Sequence, residues 1–289
     1  MDEIVNINPR ARQIQSEIIS NKKIGAYNHM VFVVGDIAQY ARPGNFVAIA
    51  VGGVNSSMIL RRAFAIYRVN EKSSSGGTLE LVVAAHGSGS RWLSERSIGE
   101  KVDLVGPLGT SFGIPTEPVN TLLVGGGYGS APLFGLAEVL KSRLCRVDVV
   151  VGASTAGKIY APLDGKRSVT TMTVTTEDGS AGSRGKVTDF LPEIIEKFKV
   201  EVVYSCGPMA MLKAVNSITE KLQIVHQCAV EESMACGIGV CMTCVIPLRG
   251  ADGQIRMSRS CIEGPVVDGS SVIWSEPRTI PEGTLGTSS

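Results

Sequence analysis

The chain has 289 residues, of which 44% are hydrophobic and 19% charged, with a formal net charge of +1. That length suffices for two domains and a small third, and the apolar share can bury substantial cores. A near-neutral balance with no basic block excludes nucleic acid and anionic membrane surfaces as expected partners.

Residues 1–10 are polar, show little pattern and read as a flexible tail. The opening Met1-Asp2-Glu3-Ile4 lacks the basic and apolar runs of a secretory signal, so a soluble, cytoplasmic protein is expected. Residues 11–115 carry a β signal. Short alternating or apolar runs recur at 13–19, 30–34, 46–51, 63–69, 79–85 and 101–105, punctuated by Gly, Pro, Asn and Ser. This spacing predicts a small antiparallel barrel, with a short helix over 91–96.

Residues 116–227 alternate between strand and helix patterns. Strands are expected at 121–124, 147–151, 171–175 and 201–205, and helices at 131–143, 187–198 and 209–222. Pro208 is suited to the first turn of the last helix. Such alternation predicts a parallel sheet with helices on both faces. The run 118–137 holds no charge, but its five glycines and two prolines read as a strand–loop–helix and not as a membrane span. Residues 228–276 form a cysteine-bearing module ending in short strands, including 266–274. Residues 277–289, rich in Gly, Thr, Ser and Pro, read as a disordered tail. The fold class expected is multi-domain: β-barrel, then α/β, then a small module.

Four of the seven cysteines lie in that module. Cys236-Gly237-Ile238-Gly239-Val240-Cys241-Met242-Thr243-Cys244 is followed, after 16 residues, by Cys261. The C-x4-C-x2-C opening with a distant fourth cysteine is the plant-type [2Fe–2S] pattern. Two irons need four thiolates, three of them from one tight loop, and Gly237 and Gly239 let such a loop turn. Zinc is the alternative, although no histidine follows His226 to complete a common zinc set. A disulfide is disfavoured in a reducing compartment. The other cysteines, Cys145, Cys206 and Cys228, read as reduced, buried thiols.

Two loops suggest phosphate binding. Val124-Gly125-Gly126-Gly127-Tyr128-Gly129-Ser130-Ala131-Pro132-Leu133 joins a strand to a helix, where bare backbone and a helix N-terminus suit a pyrophosphate. It does not satisfy G-x-G-x-x-G/A, and a glycine-rich turn that binds nothing is the competing reading. No acid or arginine closes the second strand at 152–155, so NAD and NADP are not distinguished. In the barrel, Arg61 and Arg62 precede an apolar strand, and His86-Gly87-Ser88-Gly89-Ser90-Arg91 leads into the short helix. Each could hold an anion, and each could equally be a solvated edge or an ordinary cap.

Barrel, nucleotide domain and cluster module, in that order, resemble the ferredoxin-reductase superfamily. Within it the chain resembles the electron-transfer subunits of two-protein, NAD-linked bacterial dihydroorotate dehydrogenases, over residues 10–275. The residues carrying this are Glu231-Glu232-Ser233-Met234-Ala235 through Cys244, Ser260-Cys261-Ile262-Glu263-Gly264-Pro265-Val266, the glycine loop, and Ser205-Cys206-Gly207-Pro208. The resemblance implies FAD in the barrel, held by Arg62, Ala63, Phe64, Ala65, by the backbone of Val82, Val83 and Ala84, and by Gly89 and Ser90. The family's flavin motif is Arg-Pro-x-Ser, so Ala63 and Ala65 depart from it and the serine hydroxyl is missing. It implies NAD at Gly125, Gly126, Gly127, Tyr128, Gly129, Ser130, Cys206, Gly207 and Pro208, with Cys206 the one weak catalytic candidate. It implies cluster ligation by Cys236, Cys241, Cys244 and Cys261. His86, and Arg256 and Arg259 beside the cluster, are expected to have bland or solvated roles.

Nicotinamide exchanges an electron pair as hydride and a cluster exchanges single electrons; a flavin does both, so it must stand between them. The implied activity is electron transfer from the FMN of a partner dihydroorotate dehydrogenase catalytic subunit, through [2Fe–2S] and FAD, to NAD+ in pyrimidine biosynthesis, within a heterotetramer. The alternative is the flavin/iron–sulfur subunit of another NAD(P)H–ferredoxin or hydrogenase complex. A self-sufficient reductase and a non-catalytic redox sensor are further readings. No (β/α)8 pattern is present, so the chain should not oxidise dihydroorotate alone.

Overall fold

The computed structural model describes residues 11–53, 56–160, 164–274 and 279–286. The expected tail 1–10 lies outside these, as do 277, 278 and 287–289 of the C-terminal tail.

Six antiparallel strands close the barrel: β1 (Arg12–Ile24), β2 (Tyr27–Val33), β3 (Phe46–Ile49), β4 (Arg62–Asn70), β5 (Thr78–Ala84) and β6 (Lys101–Leu108), in the order β1-β2-β5-β4-β3-β6. Alternating side chains fill it with Ile18, Phe32, Val47, Leu81, Val83 and Leu104. A short helix not foreseen, α1 (Ile37–Tyr40), adds Ile37 and Ala38 to this core. The expected 91–96 helix is α2 (Ser88–Ser94), which starts earlier and contributes Leu93 to the barrel core.

The second layer holds β7 (Asn120–Gly126), α3 (Ala131–Ser142), β8 (Arg146–Ala153), β9 (Thr171–Thr176), β10 (Ser183–Arg184), α4 (Leu191–Phe198), β11 (Val202–Cys206), α5 (Met209–Lys221) and β12 (Val225–Ala229). With β15 (Val266–Asp268) they form one sheet ordered β10-β9-β8-β7-β11-β12-β15, parallel except for β15. The expected helix over 187–198 is split: a 3-10 turn at Val187–Asp189, then α4 with Pro192 in its first turn. Helix α3 packs on one face with Leu123, Val149 and Tyr204. Helices α4 and α5 cover the other with Leu122, Val150 and Val203.

The α/β layer docks on the barrel through α3. Gly135 presses on the Tyr67 carbonyl of β4, and Arg68 grips Glu138 with both arms of its guanidinium. Tyr27, Tyr67 and Tyr160 meet edge to face beside this contact.

The boundary expected at 228 falls inside β12, and β15 returns the chain to the same sheet. The cysteine segment is therefore an insertion between two sheet strands and not an appended module. It carries its own hairpin, β13 (Val245–Arg249) and β14 (Ile255–Arg259). Residues 279–286, expected to be disordered, turn back onto it: Leu285 N–H donates to Ile255 O at 2.8 Å, and Thr284 is buried. The polar composition was misleading because a backbone pairing needs no apolar side chain.

Candidate redox site

In the sheet, strand order reverses between β7 and β11. In parallel α/β sheets ligands settle outside the carboxyl ends of the strands at that switch point. The glycine loop follows β7, and Cys206-Gly207-Pro208 follows β11. These two loops touch: a Cβ on Gly129 would meet Gly207 Cα at 2.8 Å, and one on Gly126 would meet Pro208 Cδ at 2.8 Å. Ser130 Oγ donates to the Gly127 and Tyr160 carbonyls and is buried. Gly125 and Ser130, expected to contact the dinucleotide, line neither cavity described below; they hold the loop in shape instead.

Two cavities open at this junction. The first, about 630 Å³, runs along the barrel wall and is lined by Arg62, Ala63, Phe64, Ala65, Val82 and Ala84. Gly89 and Ser90 of α2 close one part of it, and Tyr128, Gly129, Cys206 and Gly207 another. Its size suits a single organic ligand. On β4 the Ala63 and Ala65 side chains are exposed into it, a bare apolar shelf of the kind a flat ring system covers. Val83, by strand alternation, points into the barrel core, so only its backbone can serve the cleft. The Ser90 hydroxyl is already engaged, accepting from the His86 and Gly87 N–H groups at 3.1 Å. Arg62 lies against Gly89, within 2.9 Å of where its Cβ would be. These residues fit FAD: an apolar shelf for the ring system, an arginine and a helix start for its phosphates.

The second cavity, about 770 Å³, spreads over the carboxyl ends of β7, β8 and β9. Gly126, Gly127, Gly152, Pro208, Lys158, Glu177 and Lys186 are among its walls. His86, Tyr128, Gly129 and Glu231 line both cavities, so the two meet there. Tyr128 Oη donates to the Glu231 carboxylate, and its ring sits 5.4 Å from that of His86. Burial, then this carboxylate, raises the Tyr128 phenol above its ordinary range. Burial, with the Glu231 charge second, pushes the Cys206 thiol up to about 12, so it is a neutral thiol and no nucleophile at physiological pH.

The cysteine loop leans on the outer face of β3, beside the β4 shelf: Phe46 pairs with Ala65 and Ala48 with Ala63. Gly237 (φ 71°) and Gly239 (φ 81°) take the left-handed conformation that the tight loop demands. A Cβ on Gly239 would fall 1.9 Å from Ile262. Ile238 and Val240 N–H groups donate to Cys236 Sγ at 3.5 and 3.4 Å, and Thr243 Oγ1 to Cys241 Sγ at 3.1 Å. The Thr243 hydroxyl and neighbouring donors hold the Cys241 thiol down at about 6. Arg259, expected to be solvated, instead braces the loop: it donates to Gly239 O at 3.0 Å and pairs with Glu263 at 3.1 Å. Arg256 pairs with Asp252.

Among the described residues no three His, Cys, Asp or Glu side chains gather as a single-ion site needs. The four thiols lie close enough to act on one another, Cys236 on Cys241 and both Cys244 and Cys236 on Cys261. Four cysteines in the C-x4-C-x2-C spacing with a distant fourth fit a two-iron cluster. Cys244 and Cys261 are buried against Phe46, Ala48 and Leu108 of the barrel. Phe46 and Met234 also line the first cavity, so side chains of this cluster stand between it and the cysteine loop. Sequence reasoning read Phe46 only as strand and Glu231 and Met234 only as motif. Nothing local marks a residue that lines a cleft through tertiary packing.

A closed antiparallel barrel, a parallel sheet with glycine loops at its switch point, and an iron–sulfur loop define a ferredoxin-reductase-type electron carrier. Known proteins agree. Residues 231–273 match the iron–sulfur cluster binding domain of dihydroorotate dehydrogenase B. A dihydroorotate dehydrogenase B (NAD(+)) electron transfer subunit from Desulforamulus reducens is 32% identical over 246 residues, 85% of this chain and 92% of that one. A solved NADH-dependent reduced ferredoxin–NADP oxidoreductase, studied for flavin-based electron bifurcation, superposes with TM-score 0.78 at 28% identity over 90% of both chains. The cytochrome b5 reductase domain of Ulva prolifera nitrate reductase shares the fold, with TM-score 0.60 at 21% identity over 75% of this chain and 95% of that one. The chain belongs to the family of dihydroorotate dehydrogenase B (NAD(+)) electron transfer subunits.

Proposed function

We propose that this chain takes electrons from the FMN of a partner dihydroorotate dehydrogenase catalytic subunit and delivers them to NAD+, in the cytoplasm and within a heterotetramer. The observation that carries it is the line of sites: cysteine loop, Phe46, the 630 Å³ cavity, Tyr128 and Glu231, then the 770 Å³ cavity. When bound, a [2Fe–2S] cluster at Cys236, Cys241, Cys244 and Cys261 supplies single-electron transfer, and FAD supplies the exchange between single electrons and a hydride.

The chain's own residues bind, orient and shield. Gly126, Gly127 and Gly129 offer bare backbone to a dinucleotide, with Gly207 and Pro208 opposite. Ala63, Ala65, Val82 and Ala84 form the apolar wall that orients a ring system. Tyr128 and Glu231 stand where the two ligands must meet, and Cys206 lies beside them as an uncharged thiol. No side chain there is required to move a proton.

Ile238, Val240 and Met242, exposed on the cysteine loop, support docking of the electron donor at that rim. The domain division follows the same logic: a flavin barrel over 11–115 and a dinucleotide sheet from 116 that is interrupted by the cluster insertion.

The test is anaerobic purification of the tagged chain from its native cell. A flavin and [2Fe–2S] visible spectrum, a co-purifying FMN protein, and dihydroorotate-dependent NAD+ reduction are the expected outcomes. A second reading is a subunit of a ferredoxin-coupled NAD(P)H oxidoreductase. It draws support from the 28% identity to a chain of the solved NADH-dependent reduced ferredoxin–NADP oxidoreductase, over 90% of both chains. A different co-purifying flavoprotein, with no dihydroorotate oxidation, would select it.

A further inference from the structure

We propose that the Thr243 hydroxyl sets the electron affinity of the cluster at the cysteine loop, raising its reduction potential through a hydrogen bond to Cys241 Sγ at 3.1 Å. The inference rests on the reading of Cys236, Cys241, Cys244 and Cys261 as the ligands of a [2Fe–2S] cluster. Thr243 stands between two of those ligands, in the turn Cys241-Met242-Thr243-Cys244. Met242 takes a positive φ of 57° there. That left-handed step folds the chain back, so the side chain two positions after Cys241 reaches its sulfur.

The loop's sulfurs are served by donors of two kinds. Cys236 Sγ accepts from the Ile238 and Val240 N–H groups at 3.5 and 3.4 Å. Those are main-chain groups, fixed by the path of the loop and offered by every residue except proline. The donor to Cys241 belongs to a side chain, and an alanine or valine at this position would not supply it. Reduction adds one electron to the cluster. No bond forms or breaks, and the added negative charge is shared with the sulfurs. A donor aimed at a ligating sulfur interacts more strongly with the more negative state, so it stabilises the reduced form and raises the potential. Thr243 acts through Cys241 and is a positioning residue in this sense. Water is the rival donor, because Cys241 is the exposed thiol of the four. Val240 and Met242, large apolar groups on either side of it in sequence, limit that competition without removing it. The expected effect is therefore that of one modest hydrogen bond.

The test is a potentiometric titration of the anaerobically purified holoprotein, with the cluster followed by electron paramagnetic resonance. Thr243→Val keeps the shape of the side chain and removes the hydroxyl. It should lower the affinity of the cluster for an electron about fivefold, roughly 40 mV at about 59 mV per tenfold for a one-electron couple. Thr243→Ala removes the hydroxyl without adding a methyl group and should match it. Thr243→Ser keeps the hydroxyl and should stay within about twofold of the wild type. Iron content and circular dichroism check that each variant keeps cluster and fold. An unchanged potential in both deletion variants overturns the proposal, and so does an equal shift in Thr243→Ser. Loss of iron from both deletion variants makes the hydroxyl structural and overturns it too. These outcomes leave the cluster reading standing. A wild type with no [2Fe–2S] signal on reduction overturns that reading, and this proposal with it.

Discussion

His226 is buried between Ser205 and Asn216, far from solvent and outside both cavities. Its Nε2 lies 2.7 Å from Ser205 Oγ and its Nδ1 3.1 Å from Asn216 Oδ1. The amide oxygen can only accept, so Nδ1 carries the proton and Nε2 accepts from the serine. Burial lowers the imidazole pKa to about 4, with Asp268 opposing. The unfolded chain then takes up this proton first as pH falls. The contribution to stability is intact above about pH 6.5 and is lost progressively down to about pH 4, up to roughly 3 kcal/mol. Thermal denaturation across that window should show a falling Tm, and His226→Gln should flatten the slope; parallel slopes would contradict the assignment. At the same scale, Cys244→Ala should abolish the visible iron–sulfur absorption and most bound iron, since Cys244 is buried and no described side chain can replace it. The cysteine pattern was legible because metal chemistry dictates spacing. His226 was not, because a histidine becomes a buried network member only through strands and helices distant in sequence.

Strand β4 and helix α3 carry predictions of their own. Ala65 stands where the family motif has serine and faces the first cavity. Ala65→Ser should restore one hydrogen bond, worth about 1 kcal/mol, and tighten flavin binding about fivefold in a fluorescence titration. Weaker binding would mean that the shelf, and not a hydroxyl, positions the ligand. In α3, a Cβ on Gly135 would sit 2.1 Å from the Tyr67 carbonyl. A backbone oxygen cannot swing aside, so Gly135→Ala should cost about 1–3 kcal/mol by overpacking, read as a lower denaturation midpoint. Most strand positions emerged from alternation, but β1 runs on to Ile24, past the expected 19, and the strand expected over 266–274 ends at Asp268. The starts of α3 at Ala131 and α5 at Met209 were legible to the residue; that of α2 was not, because Ser90 caps the turn back at Gly87, a contact that periodicity does not encode.

Across the molecule, the cysteine loop and the first cavity share the outer face of one barrel wall, on the paired strands β3 and β4. The cysteine loop exposes Val240 at 75% and Met242 at 52%, large apolar groups normally covered. Val240→Asp should leave the iron content unchanged and weaken assembly with the catalytic partner, measured as the co-purified ratio of the two proteins. An unaltered ratio would move the docking surface elsewhere. The isolated chain should oxidise NADH with an artificial acceptor but not dihydroorotate. Among the described residues no helix is long and apolar enough to cross a membrane.

By itself the sequence determined what is written into local chemistry. Alternation marked the barrel strands, glycines marked the loop after β7, and thiol spacing marked a two-iron site. These signals depend on neighbours within a turn or a strand. Only the tertiary structure decided that the cysteine segment interrupts the sheet between β12 and β15, that Phe46 stands between that segment and the first cavity, and that Tyr128, Glu231 and His86 meet where the two cavities join. Those facts depend on which strands pair and which faces pack. Burial and pairing are properties of the whole chain, and residues from distant segments acquire a common role only when the fold brings them together.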